Sequence, residues 1–291
     1  MSAVLAPEER SRLEEVAYEI RRLTIELVAY GQWGHIAGSV SMAELLATLY
    51  FRSARLNPAS PRWEERDRVV LSKAHASPGL YAALSLRGFF PIDELYSYCE
   101  IDGILEGHTD ATRTPGVESS NGLLGMGLSV AQGMAFALRI RALDEPRVWC
   151  ILGDGELHEG NIWEAAMSAG HYRLRNLVAI VDYNRIMSKG FVADYIGIEP
   201  LVDKWRAFNW HTIEVNGHDL DAVAEAFDEA RFGTHDRPTV VIAHTIKGLF
   251  ERFLELIPPE RISQDRVNLA LQYRRPCWRI ELSPNKWCTR G

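Results

Sequence analysis

The sequence predicts an α/β fold: a doubly wound, mainly parallel sheet with helices on both faces. Two observations carry that prediction. Short apolar runs alternate along the chain with longer stretches of helical period, which is the order of βαβ units. The run "RVWCIL" also reads as a buried strand, as in parallel sheets covered on both faces.

The elements follow in order. Residues 8–30 place Leu13, Val16, Ile20, Leu23 and Leu27 in steps of three and four, the stripe of an amphipathic helix. "SMAELLATLYF" (41–51) reads as a second helix, with Ser41 as its expected N-cap and Glu44 three residues on. "RVVLS" (68–72) is a short strand. Residues 78–88 are helical, and Gly88 ends that helix. "LLGMGLSVAQGMAFALRIRAL" (123–143) predicts a long helix packed closely through small residues. "RVWCIL" (147–152) is a buried strand that runs into "GDGE". "EGNIWEAAMSAGHY" (159–172) is a helix and "NLVAIVD" (176–182) the next strand. "WHTIEV" (210–215) and "PTVVIAH" (238–244) are two further strands, separated by the helical "LDAVAEAFDEARF" (220–232).

Beyond about residue 250 the character changes. A helical pattern breaks at Pro258-Pro259, and "YRRPCWRIELSPNKWCTRG" is basic, rich in Trp and Cys, and without a period. The expected division is one domain over residues 1–250 and a C-terminal extension over 251–291 whose structure the pattern does not define.

Composition narrows the class. The 291 residues are 47% hydrophobic, enough to bury a full core. A net charge of −7 argues against a nucleic-acid partner, since proteins that track phosphate backbones are usually basic. No apolar run is long enough to span a bilayer, so no membrane partner is expected. The four cysteines lack metal-ligand or framework spacing, and the start lacks the order of a signal peptide; both fit a cytoplasmic protein.

The sharpest local signal is "GDGELHEGNIWEAAMSAGHYRLRNLVAIVDYNRI". Asp154 follows a strand directly, at the carboxyl end where open parallel sheets bind ligands. Gly153 and Gly155 flank it and leave room for phosphate oxygens. The helix beginning near Glu159 can aim free N–H groups at an anion. Asn184, at the end of the next strand, offers an amide oxygen, and the carbonyl of Ile186 offers a third. One carboxylate, one amide and one carbonyl, completed by diphosphate oxygens and water, suit Mg²⁺. Asp154, Asn184 and Ile186 are therefore the expected metal ligands.

The same segment resembles the thiamine diphosphate (ThDP) fingerprint, and the rest of the chain resembles transketolase, in particular the N-terminal subunit of a split, two-subunit transketolase. The matching stretches are "GHIAGSVSMAELLATLYF", "DRVVLSKAHASPGLYAAL", "GHTD", "TPGVESSNGLLGMGLSVAQGMA", "GDGELHEG" with "DYN", "DKWRAFNWHTIEVNGHD" and "PTVVIAHTIKG". They occur in family order over residues 10–249. The resemblance implies that residues 1–250 form the diphosphate-binding (PP) domain of the ThDP-binding fold. It implies that Gly153, Asp154, Gly155, Glu156, Asn184 and Ile186 hold the diphosphate and its metal. Gly122 and Leu124, in "NGLLGMG", would contact the cofactor's rings and phosphates, although Asn121 and Met126 depart from the family's usual residues. His35, His75 and His108, each in a loop, would line the substrate channel, bind sugar hydroxyls and relay protons near neutral pH. Glu159 has two readings, an interface carboxylate or a first-turn Glu stabilising its helix. His158 and His171 read as structural, and Trp205 and Trp210 as core or interface aromatics.

The resemblance also implies what this chain lacks. The family's other half supplies a pyrimidine-binding domain and the glutamate that activates the cofactor. A separate C-terminal subunit is the expected partner, most simply in an α₂β₂ assembly, with sugar or sugar-phosphate substrates. The expected activity is transfer of a two-carbon ketol unit from a ketose to an aldose. The family's usual channel histidine beyond "TIKG" has no counterpart here, because no His follows His244. Two other readings stand beside this one. One is a subunit of another ThDP enzyme, such as a 2-oxo acid dehydrogenase α chain or a 1-deoxyxylulose-5-phosphate synthase; "GHIAGS", "LSKAHAS" and "NWHTIEVNGHD" favour transketolase over both. The other is a non-catalytic, transketolase-like scaffold subunit.

Overall fold

Five strands, all parallel, form the centre of the molecule in a computed structural model that describes residues 5–187 and 190–249. They are β1 (Arg68–Leu71), β2 (Val148–Gly153), β3 (Leu177–Tyr183), β4 (His211–Asn216) and β5 (Thr239–His244), in the spatial order β1-β2-β3-β5-β4. Each lies within about one residue of its expected position. Every residue of β2 and β3 is buried, which is why their sequences read as unbroken apolar runs. The edge strand β4 alternates between half-buried and exposed positions.

Nine α-helices surround the sheet among the described residues: α1 (Pro7–Gly31), α2 (Ile36–Val40), α3 (Ala43–Thr48), α4 (Ser77–Arg87), α5 (Gly127–Ile140), α6 (Gly160–His171), α7 (Val192–Tyr195), α8 (Leu201–Ala207) and α9 (Leu220–Phe232). Successive strand residues face opposite layers. Val69, Leu71, Trp149, Ile151, Val178, Ile180 and Val241 pack with residues of α1, α3, α4 and α9, such as Leu27, Leu46, Tyr81 and Phe227. Val70, Cys150, Leu152, Ala179, Val181 and Ile242 pack with residues of α5, α6 and α8, such as Leu128, Ala166 and Trp205. Each fully buried aliphatic side chain contributes roughly 1.5–3 kcal/mol, so both layers are needed. Trp205 and Trp210 belong to the second core, where Trp210 Nε1 donates to the Ala166 carbonyl at 2.8 Å.

Two local expectations are corrected. The helix expected over 41–51 is divided: Ser41 closes α2, α3 starts at Ala43, and a π-turn runs over Leu49–Ser53. Ser41 does not cap. Its hydroxyl is drawn inward to Asp182 Oδ2 (2.7 Å), while Glu44 pairs with Arg21. The helix expected over 123–143 begins only at Gly127, because Gly125 sits at φ 86° and turns the chain just before it. The short helices α7 and α8 lie in a stretch too brief to show a period. Gly88, at φ 93°, does end α4. The expected extension over 251–291 lies outside the described residues.

Candidate active site

Parallel strands in register bring their carboxyl ends level. Gly153 pairs with Asp182, and Asp182 with Ala243, so the residues following β2, β3 and β5 meet at one edge. Asp182 is the buried centre of this edge, with no exposed surface. It accepts from Lys73 Nζ at 2.5 Å, Ser41 Oγ at 2.7 Å, Asn184 Nδ2 at 3.2 Å and the Thr245 hydroxyl. Burial alone would raise its carboxyl, but the Lys73 charge and these donors hold it below the usual carboxylate range. Lys73 is 1% exposed and also donates to the Gly38 carbonyl at 2.8 Å.

Asp154 stands beside this pair and is 3% exposed. Backbone N–H groups of Gly155 (2.7 Å) and Arg185 donate to it, and among the described residues no cationic side chain pairs with it. Burial first, and the Asp182 charge second, push its carboxyl up to about 6. Asn184 Oδ1 accepts from the Ile186 N–H at 3.1 Å. The Ile186 carbonyl accepts from Lys247 Nζ at 2.6 Å, which leaves it a second lone pair. Burial lowers the Lys247 ammonium despite the opposing pull of Asp154. Among the described residues no group of three or more His, Cys, Asp and Glu side chains forms a metal cluster. A cation here would rest on Asp154, Asn184 and Ile186 oxygens and on oxygens of a bound phosphate. That donor set is wholly of hard oxygens, and an added positive charge would relieve the two adjacent carboxylates. The residues present fit Mg²⁺.

The glycine-rich loop is tied to the same edge. Glu156 is buried and its carboxylate accepts from Ser72 Oγ, from Gly125 N at 2.8 Å and from Gly153 N at 3.1 Å; burial raises it. It therefore positions the loop and the strand end. Gly153 closes β2, and Gly155 opens a 3-10 turn against Met187, whose Cγ a Cβ would approach to 2.9 Å. Gly122 and Leu124 lie in the loop ahead of α5. A Cβ at Gly122 would meet nothing within 4 Å, and Leu124 is 38% exposed. Glu159 packs on Gly125, where a Cβ would come within 2.6 Å of the Glu159 Cβ.

The three loop histidines come together above this edge. His35 and His75 have ring centroids 5.2 Å apart, and Trp33 lies 5.8 Å from His35 and 5.5 Å from His108. His75 falls to about 3 through burial and then the charges of Lys73, His35, Lys247 and His108. His35 is lowered as well, by burial and then by His108 and Lys247. Rings held neutral can both donate and accept, which suits them to sugar hydroxyls. His158 and His171 have other partners: His158, at the end of the turn that Gly155 opens, meets the Ile196 carbonyl at 2.7 Å, and His171 packs edge-on to Tyr172. His244 closes β5 and meets Glu214 at 3.1 Å.

Lys73, Asp182 and Trp33 carry weight that the sequence reading does not assign. A signal for the first two is present. A lysine just after "RVVLS" and an aspartate inside "VAIVDY" are charges in runs otherwise buried, and buried charges come in pairs.

A parallel sheet that gathers oxygen donors and buried lysines at its carboxyl edge defines a class: α/β domains that bind a phosphorylated cofactor across the strand ends. The particular family is clear. Residues 13–251 match the thiamine diphosphate binding domain of transketolase, and the chain belongs to the transketolase family. It is 43% identical to the 6-deoxy-6-sulfo-D-fructose transketolase subunit SqwG of a Clostridium species, covering 85% of this chain and 90% of that one. It is 37% identical to one of the subunits of the apulose-4-phosphate transketolase of Phocaeicola vulgatus, with coverages of 84% and 85%. Transketolase of Leishmania mexicana superposes with a TM-score of 0.78 at 32% identity, over 81% of this chain and 37% of that one. The matched extent is thus that of an N-terminal transketolase subunit. Among the described residues no helix is long and apolar enough to cross a membrane.

Proposed function

We propose that this chain is the ThDP-binding subunit of a two-chain transketolase that moves a two-carbon ketol unit from a ketose to an aldose. The observation that carries the reading is the meeting of Asp154 and Asn184 with the Lys73–Asp182 pair, next to the ring cluster that His75 begins. Residues 1–250 are the cofactor-binding domain, with 251–291 as an extension. Asp154, Asn184 and the Ile186 carbonyl hold Mg²⁺. Gly153, Gly155 and Gly122 leave room for the cofactor, Leu124 contacts it, and Glu156 fixes the loop. When bound, ThDP would supply a thiazolium ring that serves as electron sink for the pair released when the bond next to a carbonyl breaks.

This chain's part is electrostatic and positional. Asp182 anchors Lys73 so that its charge stays fixed beside the phosphate site. His75, neutral across the physiological range, can hold a sugar hydroxyl without repelling the nearby lysines. His35 and His108 can accept or return a proton at hydroxyl oxygens as the donor breaks and the acceptor joins. A separate C-terminal subunit completes the site, in an α₂β₂ assembly in the cytoplasm. The subunit-type relatives are named for sugars with an anionic group, and an anionic ketose is the proposed donor.

The test is Asp154→Ala in the reconstituted complex. Titration calorimetry should show Mg²⁺-dependent ThDP binding abolished, and unchanged affinity would refute the assignment.

A further inference from the structure

Beside the histidines lies an open groove of about 620 Å³, lined by Trp33, Glu106, His108, Asp110 and Ser120 among others. Trp33 is a large aromatic that is 43% exposed, although it packs against two of the histidine rings. Its place depends on Gly107: a Cβ there would lie 2.5 Å from the indole Cζ3. "QWGH" and "EGHTD" are therefore sterically matched, with the indole standing where a side chain at 107 would otherwise be.

The groove's lining offers carboxylate and hydroxyl acceptors, one of its two carboxylates balanced by an arginine. Glu106 is paired with Arg113, and Asp110 accepts from Thr112 and Ser120, which hold its carboxyl below the usual range, Thr112 first. Carboxylates and hydroxyls next to an indole face accept bonds from neutral hydroxyls, while the ring packs on C–H surface.

Resting on the transketolase reading, we propose that Trp33 is a specificity-determining residue. Its indole is the platform for the hydroxyl-bearing carbon chain of the acceptor aldose, and the Asp110–Ser120 side of the groove accepts from its hydroxyls.

The experiment uses the chain in complex with its C-terminal subunit, with D-ribose and glycolaldehyde as acceptors. Trp33→Ala should raise the KM for D-ribose about tenfold, with kcat within about twofold. Glycolaldehyde, too short to span the platform, should change by less than about twofold. Gly107→Ala should displace the indole and reproduce the D-ribose effect, yet add nothing in the Trp33→Ala background. Equal losses for both acceptors, a fall in kcat at constant KM, or additive effects of the two substitutions would overturn the proposal. Each would mean that Trp33 merely props His35 and His108. Absence of ThDP binding in the unsubstituted complex would instead overturn the transketolase reading.

Discussion

Two buried aspartates mark opposite ends of the same sheet, and they are used differently. Asp67, just before β1, is fully buried and closed on all sides. It accepts from Trp149 Nε1 at 3.0 Å, Arg231 Nη1 at 2.6 Å, Arg147 N at 2.9 Å and Arg55 N at 3.1 Å. Asp182, at the other end, is equally well partnered, but its neighbour Asp154 has no cation of its own among the described residues. The amino end is a finished network that joins β1, β2 and α9. Among the described residues the carboxyl end holds two buried carboxylates that no ion pair balances, Asp154 and the loop-holding Glu156. On the proposed function, the difference is that between a charge retained for the fold and a charge retained for a ligand.

Four measurements would break or sharpen that contrast. The largest effect should come from Asp67→Ala, which leaves Arg231 buried without its partner. Urea unfolding should show a loss of about 3–5 kcal/mol. Asp182→Asn keeps several hydrogen bonds but removes the charge opposite Lys73. A loss of about 2 kcal/mol is expected, accompanied by weaker ThDP binding that Asp67→Ala does not share once folded.

The third measurement uses acid. His75 is held at about 3 in the folded chain, against 6.5 as its ordinary value, with Lys73, His35, Lys247 and His108 facing it. The unfolded chain therefore takes up a proton below about pH 6.5 that the folded chain refuses. Stability is fully present above that pH and is lost as the pH falls toward 3. Between pH 6.5 and 5 thermal unfolding should reveal a loss on the order of 1 kcal/mol that His75→Asn removes. The smallest effect belongs to Asp154→Asn. Removing a buried charge with no ion-pair partner should change stability by less than about 1 kcal/mol, even though Mg²⁺-dependent ThDP binding is lost. A large destabilisation would show that Asp154 serves the fold as Asp67 does.

Much of the fold and of the site is legible in the sequence because it depends on local pattern. The central strands β2 and β3 are nearly continuous apolar runs, and Asp154 sits between two glycines at the end of one. His35 and His108 stand in loops as expected, while His75 lies in a single 3-10 turn, Ala74–Ala76. What escapes depends on distance. Ser41 has the spacing of a cap because Glu44 follows three residues on, yet its hydroxyl goes to Asp182, far along the chain. The loop before α5 has the look of a helix because Leu123, Leu124 and Met126 are apolar, whereas all three are exposed. Its glycines, Gly122 and above all Gly125 at positive φ, decide the outcome. The fit of Trp33 to Gly107 has no local signature, since it depends on two loops meeting in space.

The partners of Asp182 carry a consequence for how the site comes into being. Ser41, Lys73 and Thr245 lie 141, 109 and 63 residues away along the chain. Contacts of such separation close late, after local helices have formed and the entropy of long loops has been overcome. A partly folded chain can thus show its helices in full while having no grip on the cofactor. Affinity for the cofactor becomes a clock for the last step of folding, in which central strand, flanking loops and final strand lock at once.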